Sequence, residues 1–281
     1  MTGIASLVLA TSVAAGASTS GKYNAAAARL VPAAYKHVTL QVATDATYAP
    51  DESMKGSKMV GFDVDLINAI AKTLGIKVHE NNVNFDGILL GIKSGKYTIG
   101  NSSFTDNKAR EKQVNFVDYF QAGEGVYAKA SSKVKLTSLK SLCGLKVAVE
   151  TSTVEQSDAQ ATAKTCPSNK KLTVLNYTTQ TEANLAVTSG RADVGFLDSQ
   201  IAGYMVSQSK GALKLVGKAV NVAPYGIATP KTTNGHKLAL AIRAALKVLV
   251  KNGTYHAILA HWGVVSGALP QSKIVLNGAL S

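Results

Sequence analysis

Residues 102–120 read SSFTDNKAREKQVNFVDYF. A run of small hydroxyl residues leads through a helix start at Asp106 or Asn107 to Arg110, and then into an apolar and aromatic strand. Ser102, Ser103 and Thr105 bring hydroxyls and loop backbone groups, and Arg110 brings a planar five-donor fork. A guanidinium grips a carboxylate in bidentate fashion, and neutral oxygens accept from an ammonium. The stretch therefore suits a ligand carrying both groups. The bland alternative is a surface arginine paired with Glu111 or Asp106.

Outward from this stretch the chain alternates strand and helix. Upstream, residues 37–43 alternate apolar and polar residues as a first strand. A helix runs from Gly61 to Leu74 with Ile67, Ile70, Ala71 and Leu74 on one face and Gly75 as its stop. A strand at 76–79 and a short helix from Phe85 to Lys93 follow. Downstream, the rhythm repeats with strands at 145–149 and 172–175, helices at 154–164 and 181–189, and a closing unit at 190–198. This is an α/β pattern in two lobes, each a mixed sheet flanked by helices. Residues 116–127 lead out of the first lobe and 222–227 lead back, and a helix from Lys237 presents Leu238, Ile242, Leu246 and Leu249 as one stripe. A domain interrupted by another and joined by two crossing strands makes a hinge with a cleft beneath it. The expected boundaries are an export signal-like segment at 1–17, a flexible tail at 18–36, lobe 1 at 37–125 and 225–281, and lobe 2 at 126–224.

The 281 residues are 46% hydrophobic, enough for a packed core. The 30 Lys and Arg against 17 Asp and Glu give a formal charge of +13. The lysines are dispersed, with no Arg-rich tract, RNA-binding aromatic signature or zinc-finger spacing, so nucleic acid is not an expected partner. Residues 4–17, IASLVLATSVAAGA, are too short to span a bilayer but have the length of a secretory apolar region, and Ala15-Gly16-Ala17 fits a cleavage site. No basic residue precedes that run, and Ala17 stands where a lipid anchor needs Cys. Export to the periplasm or the outer face of the membrane is expected. Cys143 and Cys166 form an even pair, which in an exported protein reads as a disulfide worth about 3 kcal/mol. Two unrelated buried thiols are the alternative. No His or Cys lies near them at metal-ligand spacing, and His256 and His261, five apart, do not share a helix face. No cofactor or metal is expected, since the nucleophile elbow, the dinucleotide fingerprint and the phosphate loop are all missing.

Six motifs in order carry a resemblance: TDATYAP from Thr44, GFDVDL from Gly61, NFDGIL from Asn84, SGKYTIGNSSFTDNKAR from Ser94, LKVAVETSTVE from Leu145 and GRADVGFLD from Gly190. Over about 38–263 the chain resembles the polar amino acid-binding proteins of bacterial ABC importers, solute-binding protein family 3. The resemblance implies a periplasmic-binding-protein-like fold that captures a free polar L-amino acid, basic or glutamine, and passes it as a monomer to a permease with a separate ATPase subunit. It implies that Arg110 holds the ligand carboxylate. Thr105 supports it through its N–H and takes the ammonium with its hydroxyl, and Ser103 offers a carbonyl beside Ser102. Asp198 completes the ammonium site across the cleft, where it could otherwise cap the next helix. Ser152 and Thr153 offer N–H groups at a helix start, or act as plain N-caps. Tyr48 and Phe85 match the aromatic pair around the ligand side chain, though Phe85 also fits a hydrophobic staple. Asp45 matches an acid that meets the far cation in basic amino acid binders.

Departures leave the ligand open. Asp51 follows Pro50 where Phe is usual, Thr98 stands where Asp is frequent, and Val154 replaces a residue polar in some basic amino acid binders. The rival reading is an enzyme on the same scaffold, similar to exported cyclohexadienyl dehydratases, with Glu150 or Glu155 as a general acid.

Overall fold

The computed structural model describes residues 19–279; the expected export segment at 1–17 lies outside them. Of the segment expected as a flexible tail, residues 19–36 are instead folded onto the body. Two single-turn helices, α1 (Ala25–Ala28) and α2 (Ala33–Lys36), precede the first strand. Ala27 and Val31 are buried in the main core, and the Asn24 N–H donates to the Thr73 carbonyl at 2.9 Å. Gly21 passes so close to the Ala69 carbonyl of α3 (Phe62–Leu74) that a side chain there has no room. Apolar residues spaced along 27–31 outweigh the small-residue composition that reads as a tail.

The first half lays down β1 (Thr39–Thr44), a three-stranded antiparallel unit of β2 (Thr47–Tyr48), β3 (Glu52–Lys55) and β4 (Lys58–Val60), then β5 (Lys77–Asn82) and β6 (Ile99–Gly100). Strand β1 pairs in parallel with both β5 and β6. Helix α3 stops at Gly75, whose φ of 66° is the left-handed conformation that glycine tolerates. Helix α4 (Phe85–Lys93) and the one-turn α5 (Lys108–Glu111) flank the loop before β7 (Val114–Lys129).

The second half runs β8 (Lys146–Glu150), α6 (Val154–Ala163), β9 (Thr173–Tyr177), α7 (Gln180–Ser189), β10 (Val194–Asp198), α8 (Ser199–Gln208) and β11 (Leu213–Leu215). Strand β12 (Val220–Pro230) then returns to the first half, where α9 (Thr233–Lys251) and α10 (Thr254–Trp262) are the last α-helices among the described residues. The Leu238, Ile242, Leu246 and Leu249 stripe is fully buried.

Strand order is β5-β1-β6-β12-β7-β10-β8-β9, with β11 also on β7. The two expected sheets are thus one hydrogen-bonded ladder, because the crossing strands belong to both halves. Strand β7 pairs with β12 as far as Glu124, and from Glu124 to Ala128 it also pairs with β10. Register shifts in β12 between Val220 and Ala223 and between Tyr225 and Gly226 bend the crossing where the halves meet. Separate cores lie on either side. Leu66, Ile70, Phe120, Tyr225 and Leu246 belong to the first, and Val147, Val149, Leu142 and Phe196 to the second. Cys143 and Cys166 are disulfide-bonded, with Cα atoms 5.5 Å apart. Among the described residues no helix is long and apolar enough to cross a membrane.

Candidate functional site

The loop between β6 and α5 builds one wall. Asn107 caps α5, its side chain accepting from the Arg110 N–H at 2.9 Å. This seats Arg110 on the first turn with its side chain turned back over the loop. The guanidinium donates to the Thr105 carbonyl and, across to the second half, to the Ser152 carbonyl, each at 2.9 Å. It lies 5.5 Å from the Phe85 ring centroid and 5.4 Å from that of Phe104. Glu111 pairs with Lys108 at 3.4 Å and not with Arg110. Burial pulls the Arg110 pKa down to about 10, against the pull of Glu155 and Asp198, so it stays charged at neutral pH.

The second half supplies the facing wall. Ser152 adopts a left-handed φ of 69°, which turns its carbonyl to Arg110 while its N–H donates to Gln156 Oε1 at 2.8 Å. Thr153 is the N-cap of α6, accepting from the Gln156 N–H, and its hydroxyl donates to the Glu150 carbonyl at 2.8 Å. Asp198 ends β10 and precedes α8 without a side-chain capping bond. Its Oδ2 accepts from the Tyr48 hydroxyl at 2.9 Å. Burial raises its pKa to about 6, opposed by the Tyr225 and Tyr48 hydroxyls and by Arg110.

These walls close tightly on one another around a small site between the halves. Asp45, Tyr48, Phe85, Ser102, Ser103, Thr105, Arg110, Thr153 and Asp198 all line it. Ser152 is not among the lining residues and reaches the site through its carbonyl on Arg110. The Ser102 hydroxyl donates to Glu52 Oε1 at 2.7 Å and that of Ser103 to Asp51 Oδ2 at 2.8 Å, so both serve buried acids. Asp45 is tied locally: Oδ1 accepts from the Thr47 N–H and hydroxyl, and Oδ2 from the Phe85 N–H at 2.8 Å. Phe85 stacks on Phe104 with centroids 4.5 Å apart.

Four further lining residues were not named as amino acid ligands: Glu52, Val154, read as a lost polar contact, and Glu150 and Glu155, read only as a general acid of the enzymatic rival. Two carried a signal. Alternation along β8 puts Glu150 on the face of Ala148, and Glu155 shares a helical stripe with the buried Ala159 and Thr162. Glu52 carried none, since its burial comes from the folding of β2–β4 over the Ser102 loop.

The halves meet over the cavity through further bonds. The Gln180 N–H donates to Thr47 Oγ1 at 3.2 Å, and Gln200 Nε2 donates to Asp51 Oδ2 at 3.0 Å and to the Tyr225 hydroxyl at 2.6 Å.

Two α/β halves hinged by paired strands, with buried charges of both signs facing each other between them, define a two-lobed small-molecule binding protein. Residues 40–265 match the bacterial extracellular solute-binding proteins, family 3, and the chain belongs to that family. It is 32% identical to the arginine-binding protein ArgT of Corynebacterium glutamicum over 220 residues, 77% of this chain and 71% of the relative. An ancestral arginine-binding protein solved with arginine superposes with a TM-score of 0.75 at 34% identity, covering 81% of this chain and 99% of that one. An ancestral amino acid-binding protein, a precursor of cyclohexadienyl dehydratase, gives a TM-score of 0.72 at 31% identity over 80% of this chain and 95% of its own.

Proposed function

We propose that the cavity captures a free polar L-amino acid outside the cytoplasm and that the protein delivers it to an ABC importer, a permease driven by a separate ATPase subunit. The observation that carries this reading is the pairing of Arg110 and Asp198, opposite charges from opposite halves, buried in one small cavity. Arg110 takes the α-carboxylate in bidentate fashion, exchanging its bond to the Ser152 carbonyl for the ligand. Asp198 and the hydroxyl of Thr105 take the α-ammonium. Tyr48 and Phe85 flank the ligand side chain. Each half contributes one of the two charges, so a zwitterion binds best when the halves are together, which biases an open–closed equilibrium.

In this reading lobe 1 comprises 37–125 and 225–281, lobe 2 comprises 126–224, and the exported protein acts as a monomer without catalysis. The names of its relatives, binding proteins for amino acids, support it. A thermal-shift panel of the twenty amino acids with ornithine, citrulline and cystine tests it. A ligand at a hundredfold excess over Kd stabilises by about 2.7 kcal/mol, a readable rise in Tm. No rise with any of them would discard the reading. The enzymatic rival draws on the buried Glu155, whose proton affinity burial raises well above the usual carboxylate range. Incubation with prephenate or arogenate should yield no aromatic product.

A further inference from the structure

We infer that Glu150, beside Asp45, selects a ligand whose side chain ends in a cation, a guanidinium or a primary ammonium, so that the amino acid captured is basic. The inference rests on the amino acid reading above and deepens it.

The cavity lining carries five carboxyls (Asp45, Glu52, Glu150, Glu155 and Asp198) against the one guanidinium of Arg110. An amino acid backbone brings one charge of each sign and meets two of these groups; a cationic side chain gives the remaining acids a partner. The arrangement indicates which acids it meets. Asp198 and Glu155 act on Arg110, at the end where the α-groups bind. Glu52 is turned to Ser102, behind the loop. Glu150 is 2% exposed, lines the cavity, and its Oε1 accepts no hydrogen bond. A buried carboxyl oxygen without a donor costs free energy that a ligand N–H removes.

Asp45 is held from the other half by Thr47 and the Phe85 N–H, which fixes its carboxyl beside Glu150. Burial and then Asp45 raise the hold of Glu150 on its proton, with Asp86 adding to the effect and the Gln180 N–H opposing it; Asp45 is raised by burial, and Glu150 lowers it through a side-chain hydrogen bond. A cation between them relieves the repulsion and satisfies both. Val154 and the Phe85 ring supply apolar lining for the methylenes of a long side chain. The valine at 154, a departure that reads as a lost polar contact, then fits a ligand that needs charge at its tip and grease along its stem.

Titration calorimetry on the full chain with arginine, lysine, ornithine, glutamine and citrulline tests the inference. Citrulline keeps the shape of arginine and lacks its charge. Wild type should bind at least one of the three cationic ligands about tenfold or more tighter than citrulline and glutamine. Glu150→Gln should lower that affinity about tenfold or more and leave citrulline within about threefold, and Glu150→Asp should keep part of the preference. Citrulline binding also reports that the variants are folded. Equal binding of arginine, lysine, ornithine, glutamine and citrulline by wild type would overturn the inference, as would a Glu150→Gln loss that falls equally on charged and neutral ligands. If none of the five binds wild type, the inference falls, and the amino acid reading stands or falls separately on the full panel of amino acids.

Discussion

Arg110 is buried beneath Phe85 and Phe104 with both terminal nitrogens on carbonyls, which makes it a fixed fork and not a mobile surface charge. Arg110→Ala is expected to abolish amino acid binding in calorimetry; retained wild-type affinity would move the carboxylate site elsewhere. Asp198→Asn should weaken binding of an amino acid by about 1.5–3 kcal/mol, and weaken its des-amino analogue far less, since the lost bond goes to the ammonium. Glu150 adds a pH test. Burial and Asp45 raise its pKa well above the usual glutamate value, so lowering the pH fills the proton site that a ligand cation would occupy. Arginine affinity should therefore fall relative to citrulline as pH is lowered. Protonation of Asp198, whose pKa is about 6, acts on both ligands alike and drops out of the ratio.

At the scale of elements, the short helices are set by their caps. Asn107 fixes α5, Thr153 fixes α6, and each cap delivers the first turn of its helix to the cavity. The disulfide lies apart from the cavity, tying the residue after a short helical turn to the end of α6. It closes a loop with a sequence separation of 23, for which the chain-entropy model gives about 3 kcal/mol. Replacing Cys143 and Cys166 together by Ser should lower Tm by several degrees in calorimetry and leave amino acid affinity near wild type. A matching loss of affinity would mean that the second wall depends on the crosslink. The stripe of α9, the Gly75 stop and the bounds of α4 were legible in the sequence because each is a local pattern. The N-terminal turns were not, since nothing local says that Ala27 and Val31 find α3 and α9.

Across the whole molecule, ten of the 17 acids are buried, whereas Arg110 is the single buried cation among the 30 Lys and Arg. The surface is therefore more basic than the +13 formal charge conveys, and the negative charge is gathered inside. At the cavity wall Asp51, Glu52 and Asp63 form one cluster held by Ser102, Ser103 and Tyr119, and Gln200 reaches it from the other half. Burial raises Asp63 from 3.8 to about 7. A raised carboxyl binds its proton more tightly in the folded chain, so its stabilisation is complete below about pH 4 and is lost as the pH rises through about 7. The Tm of wild type relative to Asp63→Asn should accordingly decline from pH 4 to pH 7 at constant ionic strength. A difference that does not change with pH would mean that Asp63 is ionised throughout.

By itself the sequence determined the α/β rhythm, the interrupted first half, the cysteine pair and nine of the residues that line the cavity. These follow from periodicity, caps and ordered motifs, which are properties of neighbouring residues. Tertiary structure alone decided that the crossing strands join both halves in one ladder, that Ser102 and Ser103 turn their hydroxyls to buried acids, and that Glu52, Glu150 and Glu155 share the cavity with Asp45 and Asp198. Most of those contacts join segments distant in sequence, and no local pattern records where a folded chain brings two distant carboxyls together.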